Sequence, residues 1–237
     1  MQPDIHLYTA STMNGWKPVI FLEEAGVPYH LTAIDFSKQE QKEDWYVDLN
    51  PNGRIPTIVD RSNDDFTVFE SGAILWYLAE KYEKFLPAGE KEKSEALQWM
   101  MFQMSAIGPM MGQAMYFQRI AAPQGHEDKF AINRFVTESR RLLEILDKQL
   151  KGHDYILGDD YSIVDMATYP WARSFYWAKV DINGLDHLQS WFDRLDQRPA
   201  IQKALTIPKA FPAFFGEGDV DAAIEMNSNR FKQDVKG

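Results

Sequence analysis

Two stretches, LNPNGRIPTIVD at residues 49–60 and FESGAI at residues 69–74, decide how this chain is read. Asn50-Pro51-Asn52-Gly53 is a turn signal. Arg54-Ile55-Pro56 leaves that turn extended, because a residue before proline is biased away from the helical region. Thr57 to Val59 is a short apolar strand and Phe66 to Phe69 a second. The polar loop Arg61-Ser62-Asn63-Asp64 joins them as a hairpin. Ser71 to Tyr82 then carries a helical pattern. A proline open to the cis form, a backbone edge beside it and a helix N-terminus with Glu70 and Ser71 converge here. That combination suits an extended peptide with a charged end. The backbone at Ile55 can pair with a ligand strand, the helix end and Ser71 can hold a carboxylate, and Glu70 can hold an ammonium beside it. Without a ligand, the same residues read as a strand-start proline and an ordinary N-cap.

Upstream, Ile5 to Thr9 reads as a buried strand, Gly15 to Ala25 as a helix and Tyr29 to Ile34 as a second strand, with a short helix or turn over Lys42 to Leu49. The order is βαβ, a connector, then ββα. The right-handed crossover rule makes the first pair of strands parallel, and the hairpin adds an antiparallel edge. Phe85-Leu86-Pro87-Ala88-Gly89 breaks the pattern. Beyond it only helical signals remain, over 92–118, 128–150, 163–178 and 185–197. Ser162-Ile163-Val164-Asp165 has the form of a capping box, and Pro109 is expected to kink the first of these helices. The fold class expected is therefore an α/β N-terminal domain (1–85), a linker (86–92), an all-helical domain (93–207) and a C-terminal tail (208–237).

Composition narrows the chemistry. The 237 residues carry a net charge of -10, against a nucleic-acid backbone or an anionic membrane as partner. Cysteine is absent, so a thiolate nucleophile or CxxC pair within the chain is excluded; any reacting sulfur arrives on the ligand. The five histidines show no metal-ligand spacing, and no metal is expected. MQPDIHLYTA enters a strand-like run without a charged-then-apolar signal pattern, and no apolar stretch nears the length of a membrane span. A cytoplasmic, soluble protein is the expectation.

The turn after the first strand, Tyr8-Thr9-Ala10-Ser11-Thr12-Met13-Asn14-Gly15, is the remaining element. It is either a plain strand-to-helix loop or, lying at the C-terminal end of a parallel strand, a ligand site. Ser11, Thr12 and Asn14 offer neutral donors there. IHLYTASTMNGWKP, LNPNGRIPTIVD, FESGAIL and a helical half with Ser-Ile-Val-Asp together resemble the cytosolic glutathione transferase superfamily over roughly residues 4–205. Within it, Asn-Gly after the first strand resembles the nu class of bacteria and the fungal group related to the yeast nitrogen-regulator prion protein. The resemblance implies a thioredoxin-like N-terminal domain, a helical C-terminal domain and a homodimer. It implies glutathione as co-substrate, held by Asn14, Gln41, the Arg54-Ile55-Pro56 segment, Glu70, Ser71 and, from the helical half, Arg134. Met13 departs from the proline usual in that turn.

A free thiol with a pKa near 8.5 is about 3% ionised at pH 7. A depression of about two units, some 2.7 kcal/mol, makes thiolate dominant. One hydrogen bond to a charged acceptor supplies roughly 1.5–3 kcal/mol, so one or two donors among Asn14, Thr12 and Ser11 suffice, with Asn14 favoured as the catalytic residue. Tyr8 lies within the strand by register and reads as core. Two reactions fit: conjugation of glutathione to small electrophiles, and reduction of small disulfides. A non-catalytic, ligand-binding regulator of the same fold is the alternative. Six methionines between Trp99 and Phe117 read as adaptable core or as the wall of a second-substrate pocket.

Overall fold

The computed structural model describes residues 3–216 and 224–225. It forms two compact units. In the first, β1 (Ile5–Thr9), α1 (Met13–Ala25), β2 (Tyr29–Ala33), α2 (Asp44–Leu49), β3 (Thr57–Asp60), β4 (Phe66–Phe69) and α3 (Ser71–Tyr82) follow one another. The sheet order is β2-β1-β3-β4. β1 and β2 run parallel, with Leu7 opposite Leu31; β3 is antiparallel to β1 and to β4. Alternation sets the faces: Ile5, Leu7 and Thr9 are buried, while His6 and Tyr8, pointing to the other face, are half-buried. β3 is flanked on both sides, so the hairpin's outer strand is β4. The backbone edge expected beside Pro56 therefore lies beyond the end of β3, not along an edge strand.

α1 begins at Thr12, whose side chain accepts from Gly15 N at 3.1 Å, and ends at Gly26 in the left-handed conformation. Gly15 admits no side chain: a Cβ there would lie 1.9 Å from the Ala10 carbonyl oxygen. The strand end and the helix start can approach so closely only because that position is glycine. α3 is tied to the hairpin through buried Asp60, which meets Lys81 Nζ at 2.6 Å and accepts from the Tyr77 hydroxyl at 2.7 Å. The sequence reading carries the helical half to residue 207. In the structure, a short helix (Pro199–Ala204) and the chain to Phe211 pack on the first unit, with Lys203 bridging to Glu23 at 2.7 Å.

The second unit is helical: α4 (Glu90–Phe102), α5 (Gly108–Tyr116), α6 (Lys129–Leu150), α7 (Ile163–Ala172) and α8 (Asp186–Asp196). Completing the chain order, the short helix at Pro199–Ala204 is α9. At Pro109, where a kink is expected, the α-helix is interrupted and Pro109 is the second residue of α5. A π-helical turn, Gln103–Ile107, precedes it and shifts the hydrogen-bond register where proline would leave an α-helical bond unmade. A second π turn spans Phe117–Ala121. α7 is buried at all ten positions and stops at Ala172, short of the expected 178. There Ser174 leaves helical geometry and its hydroxyl donates to the Pro170 carbonyl at 2.6 Å. The capping box at Ser162 and Asp165 is formed. Most of the tail expected at 208–237 lies outside the described residues.

Candidate functional site

Three chain segments of the first unit meet at the C-terminal ends of β1 and β2, and each has a local reason for its shape. The first is the turn into α1. Thr12 is the N-cap and Asn14 the second residue of the helix, partly exposed at its positive end. Thr12 Oγ1 accepts from Gly15 N, which leaves its own proton to be donated. Ser11 is placed differently. Its hydroxyl donates to the Lys209 carbonyl at 2.5 Å and accepts from Lys209 N at 3.0 Å, so its proton is engaged in holding the returning chain.

The second segment is Arg54-Ile55-Pro56. The Ile55–Pro56 bond is cis. Two side chains grip the turn: the Tyr46 hydroxyl and Asn50 Nδ2 both donate to the Arg54 carbonyl, at 2.9 and 2.6 Å, and both meet Thr57 Oγ1, at 3.0 and 3.2 Å. Tyr46 is fully buried, and burial pushes its pKa up to about 12, so it acts here as a neutral donor. Gly53, at φ 58°, would bring a Cβ within 2.9 Å of the Gln41 carbonyl oxygen. That close approach seats Gln41 against the turn. Gln41 is buried, and its Oε1 has no hydrogen-bond partner among the described residues. A buried amide oxygen in that state is unusual.

The third segment is the head of α3. Glu70 is exposed, sits at φ 69° and makes no side-chain capping bond, so the plain N-cap reading does not describe it. A non-glycine residue in that region is strained, and such strain concentrates at functional positions. Ser71 is buried as the first residue of the helix, and its Oγ accepts from Lys17 Nζ at 3.2 Å. The α3 N-terminus thus presents backbone N–H groups and a serine hydroxyl beside an exposed carboxylate.

Tyr8 faces away from α1. Its ring stacks on His6 at 4.1 Å and packs with Ile55 on a small cluster that includes Phe36 and Tyr46. Burial raises its hydroxyl pKa. Arg134 lies on α6 in the helical unit, largely exposed and 4.0 Å from Glu138. Of the methionines, Met100, Met111 and Met115 are core, whereas Met101 is exposed. Trp171 packs on the faces of Gly108 and Gly112.

Sequence reasoning missed Lys17, Tyr46 and Asn50. Lys17 had a signal, a charged residue among the apolar positions Trp16, Val19 and Ile20 of one helix. Asn50 opens the decisive turn itself. Tyr46 had none, because its role depends on a partner eight residues away.

The glutathione S-transferase N-terminal domain model matches residues 3–80 and the C-terminal domain model residues 99–199. The disulfide-bond oxidoreductase YfcG of Escherichia coli (strain K12) is 40% identical over 205 residues, covering 85% of this chain and 94% of that protein. The chain belongs to the glutathione transferase family. Its first unit is the thioredoxin-like α/β domain of that family and its second the helical domain. A crystal structure of a glutathione transferase from Burkholderia graminis, with two glutathione molecules bound per subunit, superposes with a TM-score of 0.82 at 40% identity, over 87% of this chain and 89% of that one. One from Pseudomonas putida, with one glutathione disulfide bound per subunit, superposes with a TM-score of 0.82 at 37% identity, over 87% and 92%. Among the described residues no helix of this transferase-family chain is long and apolar enough to cross a membrane.

Proposed function

We propose that this chain is a glutathione-dependent enzyme whose principal reaction is reduction of small disulfides, with conjugation to electrophiles as the second activity of the same site. The observation that carries the reading is the pair of neutral donors at the start of α1, Asn14 and the Thr12 hydroxyl, in a chain without cysteine. Neither group takes a proton from a thiol at neutral pH, but both can stabilise a sulfur anion. The relatives with two glutathione molecules, or one glutathione disulfide, bound per subunit support a reaction that consumes two glutathiones.

The bound glutathione thiolate attacks one sulfur of the substrate disulfide. A mixed disulfide forms, and the substrate's other sulfur leaves as a thiolate that takes up a proton. A second glutathione thiolate then attacks the glutathione sulfur of the mixed disulfide, giving glutathione disulfide and the second substrate thiol. In each exchange a departing sulfur needs donors as much as the attacking one does, which suits an amide N–H and a hydroxyl. The α-carboxylate of the γ-glutamyl group is assigned to Ser71 and the α3 N-terminus, its ammonium to Glu70, and the peptide backbone to Ile55, with Arg54, Pro56 and Gln41 lining the strand. Arg134 is assigned on resemblance alone, as are the homodimer and the nu class, the latter on Asn14-Gly15.

Turnover of 2-hydroxyethyl disulfide against a chloronitrobenzene tests the reading. Faster turnover of the disulfide is expected; activity on the aromatic alone would reverse the order of the two reactions. Glutathione binding by calorimetry with turnover of neither would identify a regulator or carrier. Asn14→Ala is expected to lower kcat by about 10–100-fold, the loss of one hydrogen bond to an anion, while the Kd for glutathione moves less than fivefold on that same argument. Equal losses in both would reduce Asn14 to a positioning group. Ser71→Ala is expected to raise the Kd about tenfold and leave the pKa of the bound thiol, read by ultraviolet absorbance of the thiolate, where it was. A shifted thiol pKa would place Ser71 near the sulfur instead.

A further inference from the structure

Lys17 has no part in the reaction described above, yet it is the one lysine among the largest fully buried side chains of the described residues, at 0% exposure. A buried ammonium persists only where charge and hydrogen bonds hold it. It lies one turn along α1 from Asn14, and its Nζ donates to Ser71 Oγ. A serine oxygen that accepts from an ammonium must direct its own proton elsewhere, since the ammonium has no acceptor to offer. Ser71 stands at the head of α3, where Glu70 leaves the helix end without a side-chain cap. The Lys17–Ser71 contact thus lies directly at the N-terminal end of α3.

Resting on the glutathione reading above, we propose that Lys17 is the positioning residue of the carboxylate subsite: it orients the Ser71 hydroxyl and stands as a buried positive charge behind the bound anion, so that carboxylate binding and Lys17 protonation are coupled. The electrostatic setting supports this. Burial pulls the Lys17 pKa down to about 7, with the Glu70 carboxylate pulling the other way. Three charged groups around α1 hold partners other than Lys17. Glu23 is held by Lys203 of α9 at 2.7 Å and by Tyr29 of β2 at 2.8 Å. Lys84 donates to the Ala25 carbonyl at 2.7 Å. Asp60 of β3 is taken by Lys81 and Tyr77 of α3. An incoming carboxylate adds a second negative charge beside Lys17 and raises its proton affinity, so above neutrality the complex forms with uptake of a proton.

The test uses the full chain labelled at lysine Cε with carbon-13 and S-methylglutathione as probe, because a thioether has no thiol proton to confuse the titration. The Lys17 signal, assigned by its loss in Lys17→Arg, is expected to titrate near neutrality in the free protein and at least one pH unit higher at saturation. By linkage the probe then binds roughly tenfold more weakly at pH 8.5 than at pH 6. Calorimetry on Lys17→Met is expected to show weaker binding without that tenfold slope. A Lys17 titration unmoved by saturating probe, or a Lys17→Met variant that keeps the wild-type slope, overturns the role of Lys17 and leaves the site intact. Failure of the wild-type chain to bind the probe at all overturns the glutathione reading, and this proposal with it.

Discussion

Replacing Asp165 with alanine is expected to destabilise the helical unit by about 3–5 kcal/mol, the range for removing one partner of a buried, charge-assisted hydrogen-bond set. The carboxyl is fully buried and accepts four hydrogen bonds, each 3.0 Å long. They come from the backbone N–H groups of Ile156 and Ser162, the Ser162 hydroxyl and the Trp191 indole. Through them one side chain ties the start of α7 to the loop before it and to α8. Burial pushes its pKa up, and the four donors pull against that shift. Alanine would strand all four donors. Asparagine is expected to do little better: in either orientation its NH2 group faces a backbone N–H, that of Ile156 or that of Ser162. Denaturant unfolding of both variants checks this, and a loss below about 1 kcal/mol in Asp165→Ala would mean that water replaces the carboxyl.

Asp165 also marks what could be read without coordinates. Ser162-x-x-Asp165 is a local rule, satisfied within one helical turn, and it holds in the structure along with two donors, Ile156 and Trp191, that no spacing announces. The same division runs through the first unit. Strand alternation and the Asn14-Gly15 and Gly53 turns are short-range, so the sheet, α1 and α3 were legible. Tyr46 and Asn50 act on Arg54 and Thr57 around the same turn and Lys17 acts across the fold on Ser71, and a linear pattern does not say which side chains converge. Ser11 shows the converse. In sequence it is indistinguishable from Thr12 as a donor, but the chain returning at Lys209 occupies its hydroxyl. The flanked position of β3 depends on which strands pair, and the π turn ahead of Pro109 on how a long helix absorbs a missing N–H.

Lys17→Met is expected to be more stable than the wild-type chain by about 3–4 kcal/mol at pH 6, with the difference shrinking as pH rises and reversing sign near pH 10. The folded pKa of about 7 lies below the ordinary value of 10.5. Between those two values the unfolded chain holds a proton that the folded chain lacks, so the lysine's contribution to stability rises with pH across the window. Below about 7 the side chain is charged in both states and the whole penalty is present; above 10.5 it is neutral in both and the penalty is gone. At about 1.4 kcal/mol per pH unit the window amounts to nearly 5 kcal/mol, from which the lost Ser71 hydrogen bond, about 1 kcal/mol, is subtracted. Methionine fills a similar volume without charge. Thermal or denaturant midpoints of both proteins between pH 6 and pH 10 measure the gap directly. A variant less stable than wild type at pH 6, or a gap indifferent to pH, would show that Lys17 is fully compensated by partners inside the protein. The gap, if found, is stability the resting chain forgoes to keep a cation under the α3 N-terminus. A bound carboxylate returns part of it, which ties the penalty to ligand capture and not to folding.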